Sequence, residues 1–145
     1  MGKISLFILL LFYGCVNRRG KEDFYNIRYY IKSERYRSLR DGFEVYVFSS
    51  DTSRKMLKYF YPNGNIQLVC FFHNSKRDGR WLEYFENGNI SAESFFTDGL
   101  KDSVNKTYYL NGRIATVEQY DKGVERGTWK YYNTTGMLDH VKNFK

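Results

Sequence analysis

Trp81-Leu82-Glu83-Tyr84-Phe85-Glu86-Asn87-Gly88-Asn89-Ile90 is the stretch whose reading decides the fold. An Asn-Gly pair stands there between two runs rich in aromatic and aliphatic residues. Such a pair is the strongest short-range hairpin signal, because a type I′ turn needs positive φ at both central residues. After the turn, Ile90, Ala92, Ser94 and Phe96 alternate with Ser91, Glu93 and Phe95. That period belongs to a half-buried strand. Before the turn, Trp81 to Phe85 does not alternate cleanly, which marks a bulge or a corner.

Working outward, the same pattern returns every 24 residues. Gly64, Gly88, Gly112 and Gly136 keep that spacing, and Asn63, Asn87 and Asn111 precede the first three, with Thr135 breaking the column. Phe60, Tyr84, Tyr108 and Tyr132 form an aromatic column, as do Phe72, Phe96, Tyr120 and Phe144. Ile66, Ile90, Ile114 and Leu138 form an aliphatic one. Trp81 and Trp129 lie 48 apart with Asn105 between them as a lapsed copy, and Gly79 and Gly127 recur likewise around Ser103. Gly99 and Gly123 punctuate a second turn, so each unit reads as strand, Asn-Gly turn, strand, second turn. One unit cannot bury its own rings; stacked neighbours share a core and line equivalent rings into ladders. End units are then expected to be degenerate. Tyr36, Phe48 and Leu57 give a worn first copy with Asp41-Gly42 as its slipped turn, and the last unit stops at Lys145, leaving an edge strand able to pair with another chain.

Composition agrees with strands. Aromatics make 19% of the 145 residues, led by fourteen Tyr and twelve Phe, whereas Ala occurs only at Ala92 and Ala115. The expected fold is all-β: an extended single-layer antiparallel β-hairpin repeat array, preceded by a signal peptide and a tether. The divisions are 1–14 for the signal peptide, 15–35 for a basic tether and 36–145 for the array. Within the array, 36–57 is the degenerate first unit, 58–129 holds the clear units and 130–145 is the frayed last one.

The N-terminus carries Lys3, then an apolar run from Ile4 to Tyr13 interrupted only by Ser5. That run is shorter than the roughly 20 residues a transmembrane helix needs and fits the h-region of a secretory signal. Leu11-Phe12-Tyr13-Gly14-Cys15 resembles a bacterial lipobox, with Phe12 and Tyr13 bulkier than the usual residues there. The resemblance implies cleavage before Cys15 and its lipidation; a secreted protein cut nearby, with Cys15 incidental, is the other reading. Only one further cysteine exists, Cys70, so lipidation of Cys15 leaves no partner for an intramolecular disulfide. Cys70 shares an alternating stripe with Ile66, Leu68 and Phe72 and is expected to be a small buried apolar residue rather than a reactive thiol. The net charge of +7 is local: residues 16–40 hold eight basic residues against Glu22, Asp23 and Glu34, while residues 41–145 hold fourteen basic against thirteen acidic. This distribution and the export signal speak against nucleic acid. Either the basic stretch lies along anionic lipid headgroups, at about 1 kcal/mol per Lys or Arg, or it is a solvated tether.

The pattern around Trp81 to Ile90, with Gly123-Val124-Glu125-Arg126-Gly127-Thr128-Trp129-Lys130-Tyr131-Tyr132, resembles the bacterial variant of the MORN repeat, over about residues 57–145. The resemblance implies an extended hairpin array and, in many members, an exported lipoprotein; some carry an antitoxin label, and the family offers no shared catalytic residues.

Chemistry is hard to place on the chain. His73 and His140 fall in different columns with no Cys or carboxylate at ligand spacing, so no metal and no cofactor is expected. The glycines are spaced by 24, not as a phosphate-cradling loop. Paired acid–base work needs a cleft that a thin sheet lacks. Ladder rings are expected to be core, whereas the off-column rings Tyr59, Phe71, Phe95 and Tyr131 are the candidate surface contacts on one exposed face. The expected function is that of a non-enzymatic, membrane-anchored binding or scaffold lipoprotein on the extracytoplasmic side, with a protein partner. An immunity protein against a toxin and an envelope glycan binder are the alternatives.

Overall fold

A computed structural model describes residues 30–37, 42–48 and 50–145, with side chains from Gly42 onward. Residues 1–29, Cys15 with its lipobox among them, and Asp41 lie outside the described residues. Every described element is a strand: β1 (Tyr30–Arg37), β2 (Gly42–Phe48), β3 (Asp51–Phe60), β4 (Ile66–His73), β5 (Lys76–Arg77), β6 (Gly79–Tyr84), β7 (Ile90–Thr97), β8 (Leu100–Tyr108), β9 (Ile114–Asp121), β10 (Val124–Glu125), β11 (Gly127–Tyr132) and β12 (Leu138–Phe144). They form a single 12-stranded sheet in the order β1-β2-β3-β4-β6-β7-β8-β9-β11-β12, with β5 paired to β4 and β10 to β9. All pairings are antiparallel and follow chain order. The all-β, single-layer hairpin array is therefore the observed fold. β1 takes in residues 30–35, which the charge distribution had assigned to the tether, because Tyr30 and Ile31 pair with Phe48 and Val47.

The Asn-Gly turns differ from the expectation. Gly64, Gly88, Gly112 and Gly136 have φ of 89°, 89°, 81° and 89°, but Asn63, Asn87 and Asn111 do not have positive φ. The Gly64 N–H donates to the Tyr61 carbonyl at 2.9 Å and the Tyr61 N–H to the Asn65 carbonyl at 2.8 Å; the bonds recur at 85/88/89, 109/112/113 and 133/136/137. Three residues lie between the bonded pair. A loop of that length is built from a type I turn followed by one left-handed residue, whereas type I′ belongs to two-residue loops. Pro62 takes the first central place of such a turn, where its fixed φ fits. The Asn earns its column differently: Asn63 Oδ1 accepts the Asn65 N–H at 2.9 Å, and Asn87 and Asn111 do the same for Asn89 and Arg113. In the last unit Asn133 Oδ1 takes this place, accepting the N–H groups of Thr135 and Met137 at 3.0 and 3.1 Å. The type I′ geometry is found at the second turn, where Asn74-Ser75, Asp98-Gly99 and Lys122-Gly123 all have positive φ at both residues.

The irregularity before each Asn-Gly turn is a repeated bulge. Glu83 faces Ala92 and Tyr84 faces Ile90, so Ser91 is the extra residue; Gln67, Ala115 and Asp139 are its equivalents.

The ring ladder is real but interrupted. Trp81 packs against Phe72 and Phe96 at centroid distances of 5.5 and 5.1 Å, and Trp129 against Tyr120 and Phe144 at 5.1 and 4.6 Å. Trp81 Nε1 donates to the Phe71 carbonyl at 3.1 Å and Trp129 Nε1 to the Gln119 carbonyl at 3.0 Å. Asn105, in the Trp column between them, is buried, at 2% exposed. It is no simple lapse: its Oδ1 accepts the Phe95 N–H at 3.0 Å, while its Nδ2 donates to the carbonyls of Asp102 and Ser103. A Trp can only donate there; the Asn both accepts and donates.

Successive side chains on a strand point to opposite faces. Phe71, next to ladder residue Phe72, therefore lies on the other face, where it joins Phe48 and Met56 in a small buried cluster flanked by Tyr46 and Val69. Arg54 binds Asp78 at 3.2 Å and ties this first part of the array to the next unit.

Candidate binding surface

On the ladder face, strand register lays one row of side chains across the array. Phe43 faces Tyr59, Tyr59 faces Leu68, and Leu68 faces Glu83. Glu83 faces Ala92, Ala92 faces Thr107, and Thr107 faces Thr116. Thr116 faces Tyr131, and Tyr131 faces His140. The row carries rings at its ends: Phe43 and Tyr59 stack at 5.5 Å, and Tyr131 and His140 at 4.3 Å with 7° between their planes. Its middle is small and polar, with the Thr107 and Thr116 hydroxyls 2.8 Å apart.

Beside this row, toward the Asn-Gly turns, runs a second column: Tyr61, Phe85 and Tyr109. The Tyr61 hydroxyl donates to the Tyr84 carbonyl at 2.7 Å and the Tyr109 hydroxyl to the Tyr132 carbonyl at 2.7 Å, so these rings clasp adjacent units. Between the first two clear units, row and column enclose an open groove of about 430 Å³. Tyr59, Tyr61, Leu68, Glu83, Tyr84 and Phe85 line it, together with the bulge residues Gln67 and Ser91.

The four off-column rings do not share one exposed face. Tyr59 and Tyr131 lie on the groove face, both half-buried. Phe95 faces Arg80 across the strands, opposite to the side of Trp81, and Phe71 is in the buried cluster at 6% exposed. The reason is register: Phe71 and Phe95 precede ladder residues by one, Tyr59 and Tyr131 follow their columns by two, and the alternation separates the pairs. Tyr61, Phe85 and Glu83 belong to the groove and were not singled out. The signal for Tyr61 and Phe85 was the aromatic place two residues before each Asn; Glu83 had none, since its column reads Tyr, Glu, Thr, Tyr. Gly64, Gly88, Gly112 and Gly136 occupy the turns, and Trp81 and Trp129 the ladder.

The electrostatics are modest. Burial pushes the Cys70 thiol up to about 12, with the Leu57 carbonyl as its hydrogen-bond acceptor, so it is a core group as its stripe implied. Burial raises the Tyr59 phenol. Burial, then Glu118, raises Tyr120 to about 12. Among the described residues no group of three or more His, Cys, Asp or Glu side chains could hold a metal ion. Beyond its stacking on Tyr131, His140 has Asp139 as its polar partner, at 2.9 Å, on the surface.

Residues 57–74 and 77–98 match the MORN repeat variant. None of the curated proteins compared with the chain matches it. The two MORN segments cover the end of β3 through β4 and the stretch from β5 through β7. The same three-residue turn and the same bulge recur around Gly112 and Gly136, beyond the matched segments. The MORN match supports a binding or scaffold role.

Proposed function

We propose that the chain is a lipid-anchored, non-enzymatic binding protein that presents its β-array to a protein partner on the extracytoplasmic side. The observation that carries this reading is the open ladder face, where one unbroken row of side chains runs from Phe43 to His140. Exposed apolar side chains also stand at the turns and in the last strand of the later units: Leu110 is 59% exposed, Met137 64% and Leu138 56%. Surfaces of this kind mark protein contact more often than chemistry. Lipidation at Cys15 rests on the sequence resemblance described above and supplies the anchor.

Two measurements on the cell-borne protein test the reading. Crosslinking followed by mass spectrometry is expected to recover a protein joined to the array. Cys15→Ser is expected to move the chain out of the membrane fraction and to abolish lipid labelling. Labelling that survives in the Cys15→Ser chain overturns the anchor, and crosslinking that recovers no protein overturns the partner.

A further inference from the structure

We infer that the groove between the first two clear units is a receptor for a cationic side chain, a Lys or Arg of the protein partner. The inference rests on the binding role proposed above and names the chemistry of that contact.

Glu83 is the only charged residue lining the groove, which Tyr59, Tyr61, Tyr84 and Phe85 also line. Across the strands it faces Leu68 on one side and Ala92 on the other, neither of which can neutralise a carboxylate. Its carboxylate makes no hydrogen bond or ion pair among the described residues. Three other acidic side chains of the sheet are matched, Glu93 by Arg80 at 2.5 Å, Glu118 by Lys101 at 3.7 Å and Asp78 by Arg54 at 3.2 Å. The exposed Asp121 and Glu125, which have no such partner among the described residues, lie away from the groove. Glu83 thus offers negative charge among aromatic faces, which themselves carry negative potential. A cation set among rings gains from both. An anion would meet repulsion from the carboxylate and no compensating donor cation. A neutral sugar could stack on the rings and donate hydroxyls to the carboxylate, but it would leave the negative charge uncompensated.

The repeat itself singles out this position. Column 59/83/107/131 reads Tyr, Glu, Thr, Tyr, while the turn glycines at 64/88/112/136 and the rings at 72/96/120/144 stay nearly constant. The glycine and ring columns are held by turn geometry and packing, whereas the floor column differs from one unit to the next. Only this step of the array carries a carboxylate on its floor.

Solution NMR of the full chain, titrated with N-acetyl-arginine methylamide, tests the inference. Shifts are expected at Tyr59, Tyr61, Leu68, Glu83 and Phe85, and far smaller ones with the isosteric neutral citrulline derivative. Glu83→Gln, at an exposed and unpaired position, is expected to weaken binding on the order of tenfold. Equal response to citrulline, shifts elsewhere only, or an unchanged Glu83→Gln titration overturns it. A stronger response to chitotetraose or to phosphocholine at these residues also overturns it, in favour of a sugar or a lipid headgroup. In the crosslinking experiment, a partner captured equally by wild type and Glu83→Gln sinks the groove assignment while protein binding stands. Capture by neither sinks the binding reading itself.

Discussion

At the scale of single residues, burial decides what the chemistry-bearing groups can do. Cys70 is 1% exposed, and a thiol held at about 12 has almost no thiolate at neutral pH. In a Cys15→Ser chain, where Cys70 is the sole thiol, a thiol reagent at pH 8 is expected to leave the folded protein unlabelled while it labels the urea-unfolded chain. Rapid labelling of the folded chain would contradict this placement. The residue was legible in advance, because a stripe of period 2 says which face a side chain takes. Phe71 was not. Its column looked free only because its neighbour Phe72 had been assigned to the ladder; that the opposite face also carries a buried cluster depends on Phe48 and Met56, which belong to the worn first copy. Asn105 likewise read as a loss, since nothing in its spacing reveals the Phe95 N–H that it accepts.

At the scale of the hairpin, the recurrence of Asn-Gly announced a turn but misnamed it. Asn-Gly serves equally in a two-residue loop and at the end of a three-residue one, and only the backbone hydrogen bonds count the residues between. The geometry makes a separable prediction. At Gly112 an added Cβ would meet nothing within 4 Å, so Gly112→Ala carries the left-handed backbone cost alone, about 1–2 kcal/mol. Gly112→Asn is expected to cost less, because Asn visits that region more readily. Urea denaturation midpoints of the two variants measure the difference; equal losses would mean that the side chain, not φ, sets the penalty. The bulge was legible from the broken alternation at Trp81 to Phe85, though which strand held the extra residue was not.

At the scale of the whole sheet, each unit leans on its neighbours and burial is uneven along the array. Phe48, Met56, Cys70 and Phe71 concentrate it in β2 to β4. In β12 every residue but Phe144 is exposed. Local opening follows such differences, because it needs less surface to be undone where little is buried. Amide hydrogen exchange is expected to be slowest in β3 and β4 and fastest in β12; uniform protection across the sheet would show that the array opens as one unit. The 24-residue period made the whole architecture legible, since identical spacing forces identical strands. The groove escaped it, because a groove depends on which rings stand beside the bulge rather than on the period.

That bulge has a consequence for how such a protein can change. Each hairpin carries the same extra residue in the same place, at Gln67, Ser91, Ala115 and Asp139. The offset it introduces is therefore restored within every unit. A cassette of 24 residues can be duplicated or deleted in frame, and the side chains on either side of the splice keep their faces. Length becomes adjustable in whole steps of two strands, roughly 10 Å along the array, while the floor column supplies one variable letter per step.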